Sequence, residues 1–229
     1  MKLGKRLEHL KSLVGTHYDH IWDCCCDHGF LGSALLADKI APHIHFVDVV
    51  PELMQELNEK LQRFFPQPLT ESVSSQWHLH CLDVAQLPLA DFAGKHLVII
   101  AGVGGNLISE FVSAIRKAHP TLELDFLLCP VLHQYRLRQE LMRWNMRLLS
   151  EQLMRDKQRY YEMILVSTAP HVGIPLSVVG ELIWHANTDE QRNIVAGYLR
   201  KTLAHYRRVQ LGDDPAAEKI IADYASITL

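Results

Sequence analysis

A glycine turn, AGVGG at residues 101–105, is the stretch of this chain whose residue types are best suited to hold a small molecule. It follows the apolar run HLVIIAG and opens a helical pattern. Glycines let the main chain approach a ligand without a Cβ collision. A helix packed tightly on its strand would explain one of these glycines better than all three. Their spacing differs from the G-x-G-x-x-G of dinucleotide-binding turns, which disfavours a dehydrogenase.

A second polar turn, DCCCDHG at residues 23–29, ends an earlier apolar run, and Asp48 and Asp83 close the next two. Open α/β sheets bind ligands in a crevice outside the carboxyl ends of their strands, where an acid after the second strand accepts from ribose hydroxyls. The pattern therefore predicts a crevice for a nucleoside ligand. Asp48 taken alone is equally well explained as an acid at a helix N-terminus, just ahead of Pro51.

The five cysteines do not indicate a disulfide framework, because their number is odd and three of them are adjacent. Adjacent cysteines also lack the C-x₂₋₄-C spacing that lets two thiolates converge on one zinc ion. We expect them to act mainly as small hydrophobic residues in a reducing compartment, and we expect no metal site.

The charge distribution allows an anionic partner without requiring one. The net charge is −3, yet most of the 23 Lys and Arg residues lie in three segments, 1–14, 131–159 and 187–208, the second of which includes Arg138. Such asymmetry suits an anionic partner, and solvated helix faces are the other explanation. No run approaches the roughly 20 apolar residues of a membrane span, so we expect a cytoplasmic protein with no membrane contact.

Apolar runs of strand length alternate with helical patterns over the first 145 residues. Strands are expected at about 20–25, 43–50, 77–83, 96–102 and 125–131, and helices at about 29–39, 51–65, 104–118 and 133–145. This alternation predicts a doubly wound, parallel α/β sheet. After Asn145, two further strands are separated by only a short polar turn, so they must pair as an antiparallel hairpin.

Five parallel strands closed by a hairpin resemble the class I S-adenosylmethionine-dependent methyltransferases, in which the last strand is antiparallel. This resemblance implies a Rossmann-like, doubly wound and mostly parallel sheet over residues 1–170. From residue 171 the chain turns through HVGIP and then shows helical spacing. Residues 171–229 are therefore predicted to form a small C-terminal helical element.

Over about residues 1–168 the chain resembles one family closely, the bacterial tRNA (adenine(22)-N1)-methyltransferases. Their pattern runs from a K-R-L helix through D-I-G-x-D-H-x-x-L, an acidic-V-V segment with a proline and I-A-G-M-G-G-x-L-I, to a Q-P-N strand end and a Y-E-hydrophobic final strand. The matching residues here are Lys5-Arg6-Leu7, Asp23 with Asp27-His28 and Leu31, Asp48 to Pro51, Ile100 to Ile108, Pro130, and Tyr161-Glu162.

The resemblance implies S-adenosylmethionine as the cofactor, tRNA as the partner and methyl transfer to N1 of an adenine. The catalytic candidates are Asp27, His28 and Gly104. The candidates for cofactor binding are Asp23, Cys25, Gly29, Asp48, Val49, Asp83, Val84, Ala101 and Gly102. The candidates for substrate binding are Gly105, Pro130, Arg136, Arg200 and Lys201. Within the second set, Asp23 would face the ammonium group of the cofactor, Asp48 its ribose and Asp83 its adenine amine.

Three positions depart from the family pattern. Cys25 replaces a glycine and adds a Cβ where the cofactor should pass, Val103 replaces a methionine, and Cys129 and Val131 replace the residues that flank the proline of Q-P-N. Two alternatives therefore remain open: a methyltransferase of the same fold with another substrate, and a nucleic-acid-binding protein that has lost the cofactor site.

Overall fold

The computed structural model describes residues 3–66, 76–212 and 215–229, and its centre is an eight-stranded sheet. The strand order is β3-β2-β1-β4-β5-β7-β6-β8, in which β1 to β5 pair in parallel and the last three strands pair antiparallel. The strands are β1 His20–Cys24, β2 His43–Asp48, β3 Gln76–Cys81, β4 His96–Ala101, β5 Leu124–Cys129, β6 Arg147–Asp156, β7 Arg159–Ser167 and β8 Ile174–Pro175.

Helices cover both faces of this sheet. They are α1 Lys5–Ser12, α2 Phe30–Ala37, α3 Pro51–Phe64, α4 Gly105–Ala118, α5 Gln134–Arg143, α6 Asp189–Gln210 and α7 Pro215–Ala225. Pro51 begins α3, where its missing N–H has no helical partner to lose. Thr188 and Gln191 form a capping box at the start of α6. None of the described helices is long and apolar enough to cross a membrane.

The hydrophobic core has two layers because alternate strand residues point to opposite faces. Ile21, Ile99 and Leu127 face α1, α2 and α3, whereas Val98 and Phe126 face α4 and α5. β1 and most of β4 are buried on both faces, which is typical of the central strands of a parallel sheet. The carboxyl ends of β1 and β4 are thereby held side by side.

The predicted fold class is confirmed, and the strands end within about two residues of their expected limits. β7 lies between β5 and β6, so the antiparallel insertion is also confirmed. One local expectation is incomplete: within the HVGIP segment, Ile174 and Pro175 form the short edge strand β8 in addition to a turn.

Arg138 was expected to contribute to a basic surface, and this expectation is wrong. Its side chain is fully buried, with Nη2 donating to Glu151 Oε2 at 2.6 Å and Nε donating to Glu162 Oε2 at 2.7 Å. The two acids lie on β6 and β7, far from Arg138 in sequence. Burial alone would raise the pKa of Glu151, but the guanidinium and nearby backbone N–H groups hold it below its ordinary value.

The same two acids join the sheet to the C-terminal helices. Glu151 Oε1 accepts the backbone N–H groups of Glu181 and Leu182, and Glu162 Oε1 accepts the hydroxyl of Tyr198 on α6. A buried carboxylate without such partners would be costly. These hydrogen bonds therefore connect the C-terminal element to the β6–β7 hairpin.

A cluster of histidines occupies the face of the sheet near its β3 edge, and sequence reasoning missed it. The signal was present in the alternating HIH and HLH of two neighbouring strands. Two aromatic side chains, Trp22 and Phe92, pack among the imidazoles, with the ring of Trp22 stacked 3.8 Å from that of His45. We call this cluster the histidine layer; its members are His20, His43, His45, His78, His80 and His96.

One backbone carbonyl sets the tautomers of three members of the histidine layer. His20 Nε2 donates to the carbonyl of Ala93 at 3.2 Å, so in the neutral ring Nδ1 must accept. His45 Nε2 is 3.0 Å from that Nδ1 and must donate, and His80 Nε2 must donate to His45 Nδ1 at 3.0 Å by the same reasoning. Neutral rings satisfy this chain, whereas a proton added to His20 or His45 would place two donors face to face.

Candidate active site

A cavity of about 290 Å³ opens at the carboxyl ends of β1 and β4, where the sequence predicted a crevice. It brings together six of the candidate residues. Its lining comprises Arg6, Leu7, Asp23, Cys24, Cys25, Cys26, Asp27, His28, Phe30, Leu31, Ala101, Gly102 and Val103. In the described part of the chain, no group of three His, Cys, Asp or Glu side chains has an arrangement that could hold a metal ion.

The turn after β1 has a strained backbone, which a side chain of β2 holds in place. Cys25, Asp27 and Gly29 all have left-handed φ angles, of 55°, 52° and 68°. Such angles disfavour side chains with a Cβ, which explains why a family pattern would place glycine at the first of these positions. The N–H of Asp27 donates to Asp48 Oδ2 at 3.0 Å, so β2 holds the turn in place.

Asp23 is buried in the wall of the cavity, and this burial makes the ionised form of its carboxyl group unfavourable. Its Oδ2 accepts the N–H of Gly32 on α2 at 2.8 Å. Burial is the main reason that the pKa of Asp23 is raised to about 7, and the nearby Asp48 adds to the shift. A cationic ligand group beside Asp23 would favour the charged carboxylate, so this position is suited to an ammonium group.

The charges of the three acids at the strand ends all act on the Cys25 thiol. Burial first, and then the charges of Asp48, Asp23 and Asp83, raise the pKa of the Cys25 thiol to about 11. Asp23 lines the cavity whereas Asp48 and Asp83 do not, so the convergence of the three acids on one ligand stays a prediction. At neutral pH the Cys25 sulfur is a thiol, which makes it a poor nucleophile and a side chain that mainly occupies space.

Asp48 and Asp83 also bond their own loops. Asp48 Oδ1 accepts the N–H of Val50 at 3.2 Å, and Asp83 Oδ1 accepts the N–H of Ala85 at 2.8 Å. Of their neighbours, Val49 is exposed and Val84 is buried. Ribose and adenine contacts at these four positions remain predictions.

The three glycines of the AGVGG turn each have a different structural role. Gly102 has φ +88° and presents its open face to the Arg6 guanidinium, whereas a Cβ on Gly104 would lie 3.1 Å from Leu132. A Cβ on Gly105 would lie 2.6 Å from the carbonyl oxygen of His133, so Gly105 is needed for packing against the loop after β5. Gly29 is similarly confined by Leu57. Gly102 is therefore the glycine that leaves room inside the cavity.

Arg6 is a site residue that sequence reasoning quoted as part of a motif but did not select. It lies on α1 and lines the cavity, with its guanidinium 5.5 Å from the ring centre of Tyr161. Its charge lowers the pKa of the Cys129 thiol, although burial dominates and raises that pKa to about 12. In the described residues Arg6 pairs with no carboxylate, so its donors are available to an anionic ligand group.

Asp27 and His28 stand at the mouth of the cavity. His28 Nε2 is 3.6 Å from Asp27 Oδ1, and both side chains are largely exposed. The His28 ring lies 5.7 Å from that of Phe30, another lining residue. A second reactant entering from solvent would meet these groups before the buried acids.

The candidate substrate residues are spread over a wider surface. Pro130 is buried, next to Val131, whose N–H donates to the carbonyl of Val103 in the cavity wall. Arg136 on α5 and Arg200 on α6 are exposed and do not line the cavity. Lys201 is exposed on α6, where Nζ donates to the carbonyl of Gln158 at 3.0 Å.

Comparisons with known proteins agree with the fold. Residues 3–164 match the model of a family described as a methyltransferase domain. No curated protein matches the chain. Among solved structures, M. capricolum TrmK in complex with S-adenosyl-homocysteine is 15% identical, with a TM-score of 0.74 over 98% of this chain and 97% of that one. The m1A22 tRNA methyltransferase TrmK of B. subtilis is 17% identical, with a TM-score of 0.66 over 98% and 94%.

A different methyltransferase matches a shorter part of the chain. The magnesium protoporphyrin IX methyltransferase of Synechocystis PCC 6803, solved with bound SAM, is 15% identical, with a TM-score of 0.53 over 71% of this chain and 79% of that one. The TrmK structures thus extend the likeness over nearly the whole chain, which includes the C-terminal helices.

Proposed function

Because this chain belongs to the methyltransferase-domain family, we propose that it transfers a methyl group from S-adenosylmethionine to N1 of an adenine in tRNA. The observation that carries the proposal is the cavity at the ends of β1 and β4, which combines a buried acid, a guanidinium that pairs with none of the described carboxylates, and an open glycine face. The likeness of nearly the whole chain to TrmK structures supports the choice of tRNA as substrate.

The charged groups of the cavity complement the amino-acid end of the cofactor. Asp23 would bind the ammonium group, and the Arg6 guanidinium, which also lines the cavity, would bind the carboxylate. Gly102 leaves space beside the guanidinium. When bound, S-adenosylmethionine supplies an electrophilic methyl group on a sulfonium. The residues present fit this ligand, although the Cys25 side chain narrows the space for it.

The groups at the mouth would act on the acceptor base. Adenine N1 carries a lone pair in the plane of the ring, so the chain has to align the base and needs no general base. Asp27 and His28, which line the cavity, would hold the edge of the base, and the turn at Gly104 would steer the methyl group. Methylation makes the base cationic, and the exposed Asp27 carboxylate would stabilise that developing charge.

The acceptor adenine has to leave its stack to reach such a site, at a cost of a few kcal/mol. Phosphate contacts would supply part of that free energy. Exposed cations suited to this role are Arg136 on α5 and Arg200 and Lys201 on α6.

The decisive experiment is methylation of defined tRNA transcripts with isotope-labelled S-adenosylmethionine, followed by mapping of the modified base. We expect 1-methyladenosine at a single position and its loss in Arg6→Gln, with Lys117→Gln as an exposed control at the opposite end of the sheet. Calorimetry with S-adenosylhomocysteine distinguishes the alternatives. Cofactor binding without tRNA methylation would indicate another substrate, and absence of binding would indicate a nucleic-acid-binding protein.

A further inference from the structure

A second cavity, of about 530 Å³, lies beside the candidate active site, between the loop after β5, the start of β7 and helix α6. Five tyrosines line it, and we call it the tyrosine groove. The residues that matter for the argument are Leu132, Arg159, Tyr160, Lys201, His205 and Tyr206.

Two contacts connect the tyrosine groove to the active-site cavity. Tyr161 lines the groove, and its ring lies 5.5 Å from the Arg6 guanidinium, which lines the cavity. Val131 lines the groove, and its N–H donates to the carbonyl of Val103 in the cavity wall at 3.0 Å. A molecule in the groove would therefore lie next to the Arg6 and Val103 side of the cavity.

The wall of the groove is fixed before any ligand arrives. A Cβ on Gly197 of α6 would lie 2.3 Å from the Tyr160 hydroxyl, so this glycine lets the tyrosine pack against the helix. Lys201 Nζ lies 5.6 Å from the ring centre of the same tyrosine and donates to the carbonyl of Gln158. Such pre-ordering lowers the entropy cost of binding.

The chemistry of the groove favours a nucleotide. Aromatic rings line its floor, Arg159, Lys201 and His205 lie on its exposed rim, and none of the described lining residues is acidic. Leu132 beside them is 48% exposed. Aromatic floors with cationic rims bind unstacked bases together with their phosphates in proteins that recognise single-stranded nucleic acids.

We propose that the tyrosine groove binds the base of a nucleotide that flanks the acceptor adenine in the RNA. The proposal rests on the proposed function, because it assigns the groove to the same RNA substrate. The flanking base stacks in the groove near Tyr206 while Arg159 and Lys201 contact its phosphate. When the acceptor adenine leaves its stack, the base next to it also becomes free to bind in the groove.

The test compares RNA affinity among point variants of the full chain. The probes are a fluorescently labelled ten-nucleotide oligoadenylate and a tRNA transcript, measured by anisotropy at several salt concentrations. We expect Tyr206→Leu to raise the Kd for both RNAs about tenfold and Tyr206→Phe to change it less than twofold. Arg159→Gln should reduce the slope of log affinity against log salt by about 0.7. Lys117→Gln is the control for loss of an exposed charge.

Equal RNA affinity in Tyr206→Leu and the unaltered chain would overturn the proposal, as would an equal loss in the Phe and Leu variants. The first result is also the one expected if the groove binds a peptide. Methylation of tRNA is followed in parallel. Methylation with a KM that neither groove variant changes refutes the groove and leaves the proposed function intact. Groove-dependent RNA binding without methylation refutes the proposed function and leaves the groove intact.

Discussion

Lowering the pH from 7.5 to 5.5 should strongly destabilise this protein, although most proteins of its size remain folded at these pH values. Burial lowers the pKa of every member of the histidine layer, in the case of His20 to about 4. A histidine whose pKa is lower in the folded state than its unfolded value of about 6.5 takes up a proton more readily when the protein is unfolded. Its contribution to stability is therefore fully present above pH 6.5. The stabilisation is lost as the pH falls from about 6.5 towards 4.

The magnitude follows from the three members whose pKa is lowered furthest, which are His20 and His78, each to about 4, and the completely buried His45. Each such group changes the free energy of unfolding by about 1.4 kcal/mol per pH unit, so three give about 4 kcal/mol per unit. Asp23 acts in the opposite direction below pH 7, because its pKa is raised to about 7, and offsets about 1.4 kcal/mol per unit. The expected net loss is about 3 kcal/mol per pH unit near pH 5.5.

The assay is urea unfolding at pH 7.5, 6.5, 6.0 and 5.5 at constant ionic strength. A domain with 5–15 kcal/mol of stability should lose a large part of it over this range. His45→Phe keeps a ring against Trp22, and it should reduce the slope by about 1.4 kcal/mol per unit although it weakens the protein at pH 7.5. A slope below about 1 kcal/mol per unit in the unaltered chain would refute the assignment of neutral, buried imidazoles.

Three further predictions concern single positions. Cys25→Gly should bind S-adenosylhomocysteine more tightly than Cys25→Ala does in calorimetry, because only glycine removes the Cβ and suits the left-handed φ of 55°; equal affinities would contradict this. Asp23→Asn should raise the urea midpoint at pH 8, where the buried charge is costly, and should abolish measurable S-adenosylhomocysteine binding; unchanged binding would remove Asp23 from the cofactor site. Arg138→Met should lower the free energy of unfolding by about 3–5 kcal/mol, because two buried acids lose their counterion, and a loss below about 1 kcal/mol in urea unfolding would contradict the buried network.

Local sequence information predicted the sheet well, because long apolar runs such as the one at β4 have few alternatives to a buried strand. The acids at the strand ends were also predictable, since strand ends share one edge of a parallel sheet. Arg138 was not, because its partners on β6 and β7 become neighbours only after the sheet forms. Arg6 was missed for a similar reason: α1 precedes the first strand, and its position beside the cavity depends on packing against α2.

The histidine layer shows a different limit. Each histidine taken alone carries little information in a chain that contains 14 of them. Their shared face becomes evident only when the register of β1, β2, β3 and β4 is known. The available signal was the alternation of histidines within β2 and β3. Its use required the assumption that alternating polar residues can share one buried face of the sheet.

The bonds that Glu151 and Glu162 receive from beyond residue 170 bear on how this molecule can be divided. The backbone amides of Glu181 and Leu182 and the Tyr198 hydroxyl are donated by the C-terminal element. A fragment that stops at the end of β7 would keep every strand of the parallel sheet but leave two interior carboxylates short of donors. Truncation would thus report on a damaged scaffold, so the proposed contribution of the helical tail to RNA binding is best tested by surface substitutions in the full-length chain.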